Sequence, residues 1–320
     1  MKALVTGGAG YIGSILVTRL IENGYEVSVI DDLSTGHFKN VDPKAKFYFG
    51  SILNSTVLKA AMKDCEIVFH FAAKSLVAES MLKPDLYKQV NLDGSINVLE
   101  NMKEMKISKI IAASTAAVYQ GRSKEVLTEN SLVSPGNPYG NTKLQMDEKL
   151  NHYCEENDVS GVSFRFFNVS APYFSKSLGW MIEDHFPETH LIPNLVNVSK
   201  LEPFEINGKD WDTEDNTCVR DYLHVKDLTD ACINAPRILQ KGRNQVFNLG
   251  TKNGSSILQI IDSYEKIFEQ KLEYKFVSRR EGVVDSLVAD SRKFMKISGW
   301  KPNLSIDDIF RDYKLAFGIK

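Results

Sequence analysis

The segment "NPYGNTKLQMDEKL" (137–150) places Tyr139 four residues before Lys143. On a helix, residues i and i+4 lie on one face, one above the other. A phenol and an ammonium therefore share a face just after a Pro-Gly-Asn-Pro turn. That pairing suits proton transfer. Y-x-x-x-K also occurs on ordinary amphipathic surface helices, so the spacing by itself leaves both readings open. A second group lies at the N-terminus. "VTGGAGYIG" (5–13) sets Gly7, Gly10 and Gly13 at G-x-x-G-x-x-G spacing, directly after a short apolar run and before a helical pattern. Glycines there permit a tight turn and a close backbone approach to a pyrophosphate, and the helix N-terminus supplies N–H donors and positive dipole. Asp31 ends the next apolar run, 18 residues past Gly13. A carboxylate there would bond a ribose 2′-OH and repel a 2′-phosphate, and no arginine adjoins it, so NAD is favoured over NADP. The alternative for Asp31 is a strand-end turn aspartate.

These residues need strands and helices to hold them. "KALV" (2–5), "EVSVI" (26–30), "EIVFHFA" (66–72) and "KIIAAS" (109–114) are apolar runs of strand length. Helical patterns alternate with them: Ile12, Ile15, Leu16, Leu20 and Ile21 share one face, and 85–105 is a longer helical stretch. Strands alternating with helices predict βαβ units and a parallel sheet. "GVSFRFFN" (161–168) and "QVFNLG" (245–250) read as later strands of that sheet. The expected fold is α/β, a Rossmann-type doubly wound parallel sheet in residues 1–168. Residues 169–320 are mainly a smaller α/β substrate-binding domain, with segments near 220–250 returning to the first. Beyond 169 the chain is rich in turn formers and aromatics, as binding loops are.

Composition narrows the partners. The chain has 320 residues, 43% apolar and 25% charged, with net charge −2. It has no basic block, so nothing favours nucleic acid or a membrane surface. Cys65, Cys154, Cys218 and Cys232 form no C-x-x-C, which fits a reducing cytoplasm and argues against a zinc site. There is no 18-residue apolar run and no signal-peptide pattern.

"AASTAAVY" (112–119) adds Thr115, 24 residues before Tyr139. Thr115, Tyr139 and Lys143 match the hydroxyl–tyrosine–lysine set of the short-chain dehydrogenase/reductase superfamily. Free tyrosine has a pKa of about 10, too high for a base at pH 7. A fixed cation one turn away, with the positive charge of a nicotinamide, favours phenolate. Lowering the pKa by about three units corresponds to roughly 4 kcal/mol.

Over nearly the whole chain, "MKALVTGGAGYIGS", "DDLSTG", "HFAAKSLVAES", "NPYGNTK", "RFFNVS", "EDHFPETHLIP", "CVRDYLHVKDL", "FNLGT" and "RREG" come in the order expected of the UDP-glucose 4-epimerases, which the chain resembles. The related 4,6-dehydratases carry Asp-Glu after the threonine and the decarboxylases a glutamate. Ala116 and Ala117 stand here, so a 4-keto sugar could only be reduced again. The resemblance implies an isomerase in carbohydrate and galactose metabolism, interconverting UDP-galactose and UDP-glucose. Tyr139 would exchange the 4-OH proton, Thr115 orient the substrate oxygen, and Lys143 also hold the nicotinamide ribose. It places Tyr11, Ile12, Asp32, Leu33, Ser51, Ile52, Phe71, Ala72, Ala73, Asn91 and Phe167 along the cofactor. It places Asn168, His190, Leu191, Asn207, Arg220 and Arg280 on the UDP part, and Leu287 beside the sugar C2 substituent. A salt bridge to Asp221 is the alternative for Arg220. His185 and His190 read as loop or nucleotide contacts, with no metal expected.

Several positions depart from the family pattern. Ser51 replaces an aspartate set against adenine, Gln120 a glycine, Asn207 an aromatic that stacks on uracil, and Val283 the aspartate of R-x-G-D. Ser170, Ala171 and Ile182 fall where glycines are usual. None touches Thr115, Tyr139 or Lys143, so the reaction type is better defined than the sugar. A homodimer is implied, formed by helices at 85–105 and 139–156, with Leu86, Val90, Val98, Leu99, Leu144, Met146 and Leu150 read as surplus apolar residues. The other readings are an epimerase for another UDP sugar, such as UDP-N-acetylglucosamine or a UDP-pentose, and a non-catalytic NAD-binding regulator.

Overall fold

The structure is a computed structural model that describes residues 1–120, 125–184, 188–197, 202–279 and 283–319. β1 (Lys2–Thr6) runs through the glycine turn into α1 (Tyr11–Glu22). β2 (Glu26–Asp31) and β3 (Lys46–Phe49) precede α2 (Ser55–Met62) and β4 (Ile67–His70). α3 (Val77–Leu82), α4 (Pro84–Tyr87), a π-helical stretch at Lys88–Asp93 and α5 (Gly94–Glu104) cover the region expected to be helical. β5 (Lys109–Thr115) ends on Thr115, and the short β6 (Val126–Leu127) follows. α6 (Pro138–Asn157) opens on an Asn137 cap, whose side chain accepts the Gly140 amide at 2.8 Å, with proline in the first turn.

The run expected as one strand at 161–168 divides. β7 (Ser160–Phe166) stays in the main sheet, and β8 (Asn168–Ser170) pairs with β12 (Val219–His224) instead. Between them lie the β9 (Tyr173–Ser175) and β10 (Gly179–Met181) hairpin, α7 (Leu191–Val196) and β11 (Phe204–Asn207). The rest comprises α8 (Val225–Asn234), β13 (Arg243–Leu249), β14 (Gly254–Ser256), α9 (Ile257–Phe268), β15 (Tyr274–Val277), β16 (Ser286–Ala289), α10 (Arg292–Ser298) and α11 (Ile306–Ala316).

The main sheet runs β3-β2-β1-β4-β5-β7-β13 with every neighbour parallel. Near-continuous apolar strands suit it because helices bury both faces. α1, α8 and α10 pack on one face through Leu16, Leu20, Leu228 and Phe294; α2, α5 and α6 pack on the other through Leu58, Val98, Met146 and Leu150. The strand order reverses between β1 and β4, which opens a crevice at their C-terminal ends. A second sheet, β14-β12-β16-β6, stands beside it with α9 and α11 packed around Ile260, Tyr264 and Phe310. Two readings change. α1 is buried nearly all round, Ser14, Val17 and Thr18 included. Val98, Leu99, Met146 and Leu150 belong to the protomer core, so only Leu86, Val90 and Leu144 of the supposed surplus remain partly exposed. Among the described residues no helix is long and apolar enough to cross a membrane.

Candidate active site

The turn after β1 works only with glycine at two positions. Gly7 has φ +71°, and a Cβ there would lie 2.7 Å from the Ala72 backbone, where β4 ends alongside. At Gly13 a Cβ would lie 2.1 Å from the Gly7 carbonyl oxygen. α1 therefore starts flush against the turn. Its cap, Gly10, contributes no side-chain acceptor, so the first-turn amides of Tyr11, Ile12 and Gly13 are left to an anion. Asp31 performs the turn role as well as facing the cleft. Its carboxylate accepts the Ala9 amide at 2.9 Å and the Leu33 amide at 2.8 Å. Burial pushes its carboxyl up, and those two hydrogen bonds pull against it. Leu33 sits at φ +58° to complete this turn. A narrow cleft of about 90 Å³ is bounded by Asp31, Asp32, Ser51, Ile52, Phe71 and the Ala72–Ala73 pair. Lys74 Nζ donates to Ser34 Oγ at 3.2 Å beside it. Asn91, on the π-helical stretch, spends its amide on the Lys74 backbone (2.8 and 2.9 Å) and so shapes the rim of the cleft.

β5 and α6 meet at a chamber of about 420 Å³. Thr115 and Tyr139 both face it, and Thr115 Oγ1 accepts the Ala117 amide at 3.1 Å. Lys143 lies behind them, buried, with Nζ donating to the Ala113 carbonyl at 2.9 Å. Burial raises the Tyr139 phenol above its ordinary value, while the Thr115 hydroxyl lowers it. Burial drives Lys143 down to about 8, against the pull of Asp147. The expected depression of Tyr139 is thus absent from the protein alone. Desolvation wins until a further positive charge enters. Ala116, Ala117, Ile12 and Phe167 line the same chamber, so Ile12 and Phe167 face the reacting end and lie away from the narrow cleft. Leu287 lines it too, while its neighbours Ser286 and Val288 are buried and do not. Tyr11 turns its hydroxyl to the Ala171 carbonyl at 2.5 Å.

A third cavity, about 540 Å³, shares Asn168, Thr189, Leu191 and Tyr222 with the chamber. Asn207 and Arg220 line it. Arg220 makes no salt bridge with Asp221. Its guanidinium donates to the Val219 and Val284 carbonyls at 2.7 and 2.8 Å. Asp221 points the other way and accepts amides from Thr251, Lys252 and Ala289. His190 caps α7 at the chamber wall, with Nδ1 2.8 Å from Glu188 Oε1 and 3.4 Å from Glu183 Oε1. These three bring ligand atoms within 4.8 Å of one another. Arg280 and His185 lie outside the described residues.

Residues 3–250 match the NAD dependent epimerase/dehydratase family. The chain belongs to that family. It is 44% identical to the UDP-glucose 4-epimerase of Lactobacillus helveticus over 97% of this chain and 94% of that protein. Among solved structures it is similar to the UDP-glucose 4-epimerase of Bifidobacterium longum in complex with NAD+ and UDP. There the TM-score is 0.89 at 32% identity, covering 98% of this chain and 97% of that one. It is also similar to the enzyme of Stenotrophomonas maltophila with bound NAD and formylated UDP-arabinopyranose, at TM-score 0.93 and 30% identity, covering 100% and 98%.

Some side chains of this family member were not assigned a role from the sequence, though Glu183 and Arg165 stand inside quoted blocks. Glu183 lines the chamber, and burial pushes its carboxyl up to about 7, with His190 pulling it down. Trp211 is buried against the 540 Å³ cavity beneath the Arg279 guanidinium, 4.1 Å from the ring centroid. Asp147 and Arg165 form a buried ion pair at 3.1 Å. Only Asp147 had a usable cue, because it continues the i, i+4 line of Tyr139 and Lys143.

Proposed function

We propose that this protein is a UDP-glucose 4-epimerase using bound NAD. The observation that carries the reading is the Thr115–Tyr139 pair, backed by Lys143, opening on a chamber whose neighbouring wall is Ala116 and Ala117. The chamber joins a cavity with an arginine and several amides, a suitable surface for a uridine diphosphate. The glycine turn, the uncapped α1 N-terminus and Asp31 fit a dinucleotide with an unphosphorylated ribose. Once bound there, NAD supplies the acceptor and donor of hydride for sugar carbon 4.

In this reading the protein's own groups handle protons and position. Tyr139 takes the 4-OH proton and later returns it. Thr115 donates to the sugar oxygen and sets its distance from the phenol. Lys143 provides the positive charge that, added to that of the cofactor, offsets the burial of Tyr139. Ala116 and Ala117 offer no acid or base, so the 4-keto sugar turns over within the chamber and is reduced from its other face. Arg220 and Asn168 hold the diphosphate end while it turns. Leu287 leaves more space beside C2 than a tyrosine would. That supports UDP-N-acetylglucosamine as a slow second substrate.

The test is conversion of UDP-galactose to UDP-glucose without added NAD, run beside a panel of UDP sugars. No conversion by NAD-loaded protein would favour a non-catalytic binder. A cytoplasmic homodimer in galactose metabolism completes the reading. Leu86 is the partly exposed apolar residue of these helices that supports pairing, since Val90 lines the narrow cleft and Leu144 packs within the protomer, and a monomeric mass in light scattering at micromolar concentration would count against it.

A further inference from the structure

α6 carries a third functional-looking side chain on the face of Tyr139 and Lys143. Asp147 follows Lys143 by one turn and is only 4% exposed. Lys143 Nζ donates to the Ala113 carbonyl at 2.9 Å. The next residue of β5, Ser114, donates its hydroxyl to Asp147 Oδ2 at 3.0 Å. Two successive turns of α6 are thus fastened to two successive residues of β5, immediately before Thr115. Arg165 of β7 donates Nε to the same Oδ2 at 3.1 Å. Its Nη1 reaches the Tyr119 hydroxyl at 2.9 Å, and that hydroxyl donates to Asn248 Oδ1 on β13 at 2.7 Å. Neither Asp147 nor Arg165 lines the chamber.

We propose that Asp147 is a positioning residue for the reaction: with Ser114 and Arg165 it fixes α6 against β5 behind the Thr115–Tyr139 pair and sets a carboxylate one turn from Lys143. The inference rests on the functional reading above. A buried ammonium loses its proton readily unless a countercharge stands near. Burial already brings Lys143 to about 8 and Asp147 draws it back up; burial pushes the Asp147 carboxyl up in turn, with Arg165 and the Ser114 hydroxyl pulling it down. The other ionisable groups around it give no such help. Tyr139 is a phenol in the protein alone, its own proton affinity raised by burial. His70 of β4 is held neutral by burial and by Lys143 itself. Arg165 is positive, and without Asp147 it would repel the lysine.

The experiment uses NAD-loaded protein and UDP-galactose, with kcat and KM followed from pH 6 to 9.5. In Asp147→Asn the alkaline limb of kcat moves down by about one pH unit, so the ratio of kcat at pH 8.5 to pH 6.5 falls about sixfold. KM is unchanged, and Asp147→Glu restores the limb. Because the asparagine leaves Arg165 buried against a neutral amide and can cost the fold, Asp147→Asn with Arg165→Gln is measured alongside. It removes both charges and still shows the displaced limb. Titration of the Lys143 ammonium by 15N NMR in the same proteins reads the effect independently of turnover. A uniform loss of kcat with an unmoved limb and unmoved lysine titration overturns the proposal and leaves Asp147 a scaffold residue. A moved lysine titration in a parent that does not convert UDP-galactose sinks the functional reading instead.

Discussion

Gly13→Ala sets two effects of opposite sign against each other. Gly13 is the third residue of α1, where alanine is worth about 1 kcal/mol more than glycine by helix propensity. Against this, the new Cβ would sit 2.1 Å from the Gly7 oxygen and 2.9 Å from its carbonyl carbon. Ordinary contact begins at 3.4 Å, so the turn must open by about 1.3 Å (3.4 − 2.1). Both atoms are backbone. Gly7 cannot retreat, because its amide is bonded to the Ile30 carbonyl at 2.9 Å and the Ala72 backbone lies directly beside it. The opening therefore falls on the amides that would cradle a diphosphate. A displacement of about 1 Å can cost roughly 10²-fold, about 2.8 kcal/mol, which exceeds the propensity gain. The variant should purify with about a tenth of the parental NAD and convert UDP-galactose about a hundredfold more slowly, with partial recovery on adding NAD. Gly136→Ala, which meets nothing within 4 Å, serves as control. Parental NAD content with an equal or higher melting temperature in Gly13→Ala would refute the steric reasoning.

Tyr139→Phe should lower kcat by about 10²–10⁴-fold with NAD content and melting temperature intact, since only the proton-transferring hydroxyl is lost; a rate within threefold of the parent removes that role. Leu287→Tyr fills space in the 420 Å³ chamber and should depress UDP-N-acetylglucosamine turnover relative to UDP-galactose by about ten- to a hundredfold, the rate equivalent of a 1–3 kcal/mol clash; an unchanged ratio means Leu287 is not the gate. His70 bridges Thr6 and Ser95 at 2.8 Å each, and burial lowers its ring to about 3. The unfolded ring takes up a proton near pH 6.5, so this residue withdraws stability as pH falls from there towards 3. NMR should find its imidazole neutral at pH 5, and a midpoint near 6.5 would contradict the burial.

What the sequence made legible was what one strand or one helix encodes. β1, β2, β5 and β13 stand where their apolar runs lie, because a strand covered on both faces needs no alternation. The glycine turn and the Tyr139–Lys143 face were readable because their spacing is local. β3 was missed: its Lys-Phe-Tyr-Phe is four residues long and partly exposed at the sheet edge. The split at Phe167 was missed because "RFFNVS" has no glycine or proline to mark a break, and only the pairing with β12 shows that Asn168 leaves the main sheet. Asn91 ties the Lys74 loop, 17 residues back, to Thr142 of α6, which its place in the sequence does not reveal. For Tyr139, spacing reveals the lysine one turn away but not the burial that raises its phenol in the chain without a dinucleotide. Arg165 meets Asp147 only through packing of β7 against α6, which the motif blocks do not record.

The most direct test of the account is to give the NAD-loaded protein UDP-galactose deuterated at sugar carbon 4, in ordinary water and without added dinucleotide. If oxidation and reduction occur at that carbon within one closed chamber, UDP-glucose forms with the deuterium still at carbon 4, at a rate slowed by the isotope. Tyr139→Phe should suppress the product without changing the retention in what little forms. UDP-glucose in which the label has washed out to solvent, or its loss from a product not inverted at carbon 4, would contradict the proposed chemistry.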